Sequence, residues 1–190
     1  GVGRFASESE LHRHEIRAED LRPSRRYRYR ALAYADGDSA ATPWIDFRTA
    51  PSPGTGQATL VFGGDSRHGR GFGRHRELGV NHLVLGDIVR DARRHDPDFL
   101  LFGGDLVNGY NHRVADFRTE LRSWKQAVLP LGIDHPVFAV MGNHDVTVRV
   151  YYKKRFGALQ MDRWPYATES GEALFADELV MPTNAPTPQE

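Results

Sequence analysis

The 190-residue chain contains no cysteine. That excludes a disulfide scaffold, a thiolate zinc site and a cysteine nucleophile, and it leaves the compartment open. There is no excess of either charge, with 25 Lys+Arg against 25 Asp+Glu, so composition implies neither a nucleic-acid partner nor an acidic membrane. Long apolar runs are also missing: runs such as Phe99–Phe102 are strand-sized, far below the roughly 20 residues of a membrane span. The first residues carry no charged-then-apolar leader. No Gly-x-Ser-x-Gly is present, which removes the commonest serine-hydrolase elbow. The glycine-rich GRGFGR at 69–74 has Arg74 where G-x-G-x-x-G requires glycine. No Gly-Lys-Ser/Thr follows it, so it reads as an active-site loop and not a nucleotide loop.

What is there falls into two textures. Residues 11–49 read as short strands. His12, His14 and Ile16 alternate with charged residues, a period of two. In RRYRYRALA the arginines 26, 28 and 30 share one face, with Tyr27, Tyr29 and Ala31 on the other. A stacking groove for single-stranded nucleic acid needs both types on one face. DGDS at 36–39 is a turn signal before the next strand, 44–48. PSPGTG at 51–56 is a Pro/Gly linker, so the expected division is 1–50, a linker at 51–57, and 58–190.

From residue 58 the pattern is strand, loop, helix, repeated. Three short apolar strands run into FGGDSRH, FGGDLVN and MGNHD. Between them, Val80, Leu83, Val84, Ile88 and Ala92 predict a helix over 78–94, and Phe117, Leu121, Trp124 and Val128 predict a second. This is the α/β signature of a largely parallel sheet, in which ligands bind beyond the strand C-termini. Asp65 and Asp105 are 40 residues apart and Asp105 and Asn143 are 38 apart. Each interval is one βα unit, so the loops are expected to converge. Glycine before each polar residue lets the backbone turn sharply and approach an ion or a phosphate. Carboxylate and amide oxygens are hard donors suited to divalent cations. A pair of such ions clamps the attacking and leaving oxygens of an in-line displacement.

These three blocks, GNHD above all, resemble the calcineurin-like metallophosphoesterases over residues 58–158. The resemblance implies the N-terminal half of a metallophosphoesterase β-sandwich with flanking helices, two divalent ions (Mn, Mg, Zn or Fe) and a phosphate-ester substrate. It implies Asp65 as a ligand of the first ion, Asp105 as a bridge and Asn143 as a ligand of the second. His144 would contact the phosphate and protonate the leaving oxygen, with Asp145 behind it as its orienting carboxylate. The resemblance also favours a secreted or periplasmic location. The sequence sets no oligomeric state.

Departures from the family's pattern shape the expectation. Arg67 stands where the family usually has histidine; arginine cannot ligate a cation but can hold a phosphate bidentately. His68 comes one place later, so its side chain is expected to point elsewhere. Asn108 occupies the place of the purple acid phosphatases' metal-binding tyrosine, and Tyr110 comes two places too late. The family's later histidine ligands have no counterpart, because the last of the nine histidines is His144. The stretch after residue 155 reads as the lead-in to another strand. Upstream, LRPSRRYRY resembles the tyrosine corner of fibronectin type III-like sandwiches, with Tyr27 as the candidate. FRTAP resembles that sandwich's last strand in purple-acid-phosphatase-like proteins. Both ends of the chain therefore look cut. The alternative expectation is a non-catalytic fragment or binding module that keeps the fold without a complete metal site.

Overall fold

The computed structural model describes residues 14–68, 79–153 and 156–180. The GRGFGR loop lies outside these residues, as do His12 and the proline-rich end. Residues 14–19 form no strand and are exposed; alternation alone, with no apolar face to bury, does not hold a strand to a partner.

Among the described residues, the N-terminal part consists of two antiparallel ribbons. β1 (Arg26–Tyr29) pairs with β4 (Ile45–Arg48), and β2 (Leu32–Ala35) pairs with β3 (Asp38–Ala41). The second ribbon was not expected. Asp36 and Gly37, at φ +49° and +81°, supply the two left-handed residues of a tight hairpin turn. That turn folds residues 38–41 back on the chain before the expected strand begins. Alternation in β1 holds: Tyr27 and Tyr29 both meet the Phe47 ring at 5.9 Å, while Arg28 faces Asp46. The Tyr27 hydroxyl accepts the Arg22 N–H at 2.9 Å. Two ribbons do not make a sandwich, and the fibronectin-like assignment goes no further than this local contact. The Tyr29 hydroxyl donates to the Ile133 carbonyl at 2.6 Å, tying the ribbon to the body that follows.

That body is a mixed α/β unit. β5 (Leu60–Gly63), β6 (Phe99–Phe102) and β7 (Val137–Ala139) form a parallel sheet in that order, with Gly63 opposite Phe102 and Phe102 opposite Ala139. Helices α1 (His82–Arg94) and α2 (Val114–Gly132) make the crossovers. All four residues that predicted α2 are buried. For α1 the prediction was right at Val80 and Ala92, which are buried, and wrong at its three middle residues. Leu85, Val89 and Ala92 enter the core, whereas Leu83, Val84 and Ile88 stay exposed, because apolar residues occupy two neighbouring stripes of this helix and the pattern cannot rank them. The helix begins at Asn81, whose side chain accepts the Val84 N–H, a turn later than expected.

Helix packing covers one sheet face. Leu100 and Phe102 are sealed under the helices, with Phe102 edge-on to Trp124 at 5.3 Å. On the opposite face Leu60, Phe62, Phe138 and Val140 remain exposed. No second sheet layer covers them among the described residues. After β7 the chain forms a hairpin, β8 (Val148–Lys153) with β9 (Phe156–Met161). It continues into α3 (Tyr166–Glu169) and α4 (Gly171–Glu178); the end of the stretch expected to lead into another strand lies outside the described residues. α4 packs on α2 through Leu174 and Phe175 and is clamped by charge. The Glu178 carboxylate receives Arg118 at 3.1 Å, Arg122 at 2.9 Å and Lys125 at 2.7 Å. No helix among the described residues is long and apolar enough to cross a membrane.

Candidate active site at the strand ends

Parallel register brings the C-terminal ends of β5, β6 and β7 to one edge, and the three glycine-led loops meet there. Their approach is close enough to require glycine. A Cβ on Gly104 (φ +90°) would lie 2.6 Å from the Gly142 nitrogen, and one on Gly142 would lie 2.2 Å from Asp105 Oδ1. Main-chain bonds lock the first two loops together: Gly103 N–H to Gly63 O, Asp65 N–H to Gly104 O and Arg67 N–H to Asp105 O. Ser66 adds a buried link, donating to the Leu106 carbonyl at 2.8 Å while accepting the Trp124 indole N–H at 3.1 Å.

Asp65 and Asp105 both sit in the left-handed region, at φ +58° and +51°. That backbone is costly for residues other than glycine and clusters at functional sites. The two carboxylates converge on Arg67. Its Nε lies 2.8 Å from Asp65 Oδ1 and 3.3 Å from Asp105 Oδ2, so the two oxygens are no farther apart than those distances together allow. Asp105 Oδ1 takes the His144 N–H at 3.0 Å. Asn143, exposed between Gly142 and His144, is thereby held on the same loop against Asp105.

Asp145 corrects one expectation. Its side chain was expected to orient His144; instead, fully buried, it accepts main-chain N–H groups of Gly142 (2.8 Å), Val107 (3.1 Å) and Leu106 (3.2 Å). Burial pushes its carboxyl up, the three N–H bonds oppose that, and the Asp105 charge adds to the rise. A buried carboxylate must find donors, and the turn of the second loop offers them where His144 does not. Asp145 thus staples the second loop to the third. His144 is oriented by the Asn108 carbonyl, 3.0 Å from its Nδ1, and by the Tyr110 ring, edge-on at 4.8 Å between centroids. Because a carbonyl only accepts, Nδ1 carries a proton in this arrangement and Nε2 is left to face outward chemistry.

Sequence reasoning missed Asn108 and Tyr110 in this role because both were weighed only as metal ligands. Gly109, at φ +60°, is the readable signal: a Cβ there would lie 1.5 Å from the His144 carbonyl oxygen. Its N–H donates to Glu120 of α2 at 2.9 Å. Burial pushes the Glu120 carboxyl up, against its bonds to Asn111 and Gly109. His68 lies within electrostatic reach of Glu120, with Nδ1 buried and unpartnered among the described residues.

The described residues contain no group of three or more His, Asp or Glu that could hold a metal ion. Arg67 occupies the space between the two carboxylates. Among the described residues the donors therefore do not assemble a site for the expected pair of ions.

A sequence model of the calcineurin-like phosphoesterase family matches residues 78–182. It includes the second and third loops, begins after the first, and ends beyond the expected limit at 158. No curated protein sequence matches the chain significantly. Among solved structures, the chain is similar to a purple acid phosphatase from yellow lupin (Lupinus luteus) seeds, with a TM-score of 0.57 over 87% of this chain and 17% identity. It spans 28% of that protein's chain. At that identity the likeness is one of fold.

Proposed function

The chain belongs to the calcineurin-like phosphoesterase family, and from that premise we propose that its strand-end site hydrolyses phosphate esters, mono- or diesters, with His144 as proton donor to the leaving oxygen. The observation that carries the reading is the convergence of the first two loops on the Arg67 guanidinium, with the His144 N–H on the same Asp105 carboxylate. In the reaction a water oxygen bonds to phosphorus, the bond to the leaving oxygen breaks, a proton on His144 Nε2 passes to that oxygen, and the attacking water gives up one proton to solvent, from which Nε2 is reprotonated. The Asn108 carbonyl keeps the other ring nitrogen protonated and the ring fixed, which is the positioning that general-acid work requires. Arg67 is the candidate to meet the phosphate, as a cation that stays charged at any working pH.

Members of the family use a pair of divalent ions, to which Asp65, Asp105 and Asn143 would correspond. Since the donors among the described residues do not assemble a pair, no step above is routed through one. A second reading is a module that binds phosphate esters without turning them over, and the seat of Arg67 between the carboxylates favours it.

The test is hydrolysis of a panel of aryl phosphate mono- and diesters, with Mn²⁺ supplied, by wild type and His144→Ala. General-acid loss costs roughly 10²–10⁴-fold, most on poor leaving groups. Equal turnover on a poor leaving group would remove His144 from the role. Binding without hydrolysis in wild type selects the second reading.

A further inference from the structure

We propose that Arg67 is the resident cation of this site: it occupies the position between Asp65 and Asp105 and competes directly with any divalent ion for their oxygens. The inference goes beyond the phosphoesterase reading and does not depend on it.

The geometry is specific. One nitrogen, Nε, reaches both carboxylates, at 2.8 Å and 3.3 Å. The main chain aims it there, because the Arg67 N–H is bonded to the Asp105 carbonyl and residues 67 and 80 form a bridge. Two carboxylates held near each other by left-handed backbone on locked loops repel, and a cation between them relieves that repulsion. Arginine supplies one that never deprotonates. Being part of the chain, it competes at the effective concentration of a tethered group, where a dissolved ion must pay its own association entropy. The side chain is 32% exposed, so the contact is open to exchange and not sealed. A hard divalent ion such as Mn²⁺ can bridge the two carboxylates through these oxygens only by displacing the guanidinium, and among the described residues Asn143 on the adjoining loop adds one amide donor.

Measured by equilibrium dialysis and by the electron paramagnetic resonance signal of free Mn²⁺, the full chain with Arg67→Gln is expected to bind Mn²⁺ at least tenfold more tightly than wild type. Arg67→Lys, which keeps the charge, should stay within about threefold of wild type. Arg67→Ala gives a second neutral variant should the glutamine form fold poorly, and wild type itself provides a further check. Equal or weaker binding in the neutral variants overturns the proposal. So does tight binding of two ions per wild-type chain, since that requires both carboxylates with Arg67 still in place. Neither result bears on whether phosphate esters are hydrolysed.

Discussion

Replacing Glu178 with glutamine removes the anion on which three cations of α2 converge. Its carboxyl is 5% exposed and meets Arg118, Arg122 and Lys125 within 3.1 Å. Burial alone would raise it, but the hydrogen bonds from Arg122, Lys125 and Arg118 outweigh that and lower it from 4.5 to about 2. Taken whole, that shift corresponds to roughly 3 kcal/mol of linkage. Arg122 is 46% exposed and Lys125 33%, so solvent screening brings the expected value to about 2 kcal/mol. The sign follows from the lowered folded value. The contribution is fully present above the unfolded value of 4.5 and is lost as pH falls through about 2. Urea denaturation of wild type and Glu178→Gln between pH 3 and pH 7 reads it directly. The stability gap should be largest at pH 7 and fall to less than half of that by about pH 3. A gap below about 0.5 kcal/mol at pH 7, the scale of an ordinary surface substitution, or one independent of pH, would refute the assignment of this cluster as the clamp on α4.

Gly109→Ala should cost about 2–4 kcal/mol, because the new Cβ would meet the His144 carbonyl. Gly37→Ala, also left-handed but with nothing within 4 Å, should cost only about 1 kcal/mol, and comparing urea midpoints separates contact from backbone strain. Asp145→Ala leaves buried main-chain donors at Leu106 and Val107 without their acceptor and should cost about 3–5 kcal/mol. Hydrogen exchange at those two amides should speed up at the same time.

Fold and site were legible to different depths. The parallel sheet and α2 could be read because their apolar residues follow one unambiguous period and are buried by it, as Phe117, Leu121 and Trp124 are. The convergence of the loops was readable because glycine precedes each polar residue at even βα spacing, and the structure shows steric reasons for Gly104 and Gly142. The face of α1 was not, since two apolar stripes compete there. Nor was the partner of Asp145, which depends on main-chain donors 38 and 39 residues away; main-chain N–H groups leave no mark on residue type. Arg67 was flagged as the departure from pattern. That its Nε spans both carboxylates depends on the bridge to Val80, a contact the sequence does not advertise.

The proposed function places phosphate-ester chemistry at one site, built where the three loops meet. Asp105 is its hub, touching Arg67 and the His144 N–H with its two oxygens. The most direct measurement is phosphate release from an aryl phosphate with Mn²⁺ supplied, by wild type and by Asp105→Ala shown by circular dichroism to be folded. Release by wild type is expected, with at least a hundredfold loss in the variant, the scale of removing a transition-state contact. Undiminished release by folded Asp105→Ala would contradict it and place the chemistry elsewhere on the chain.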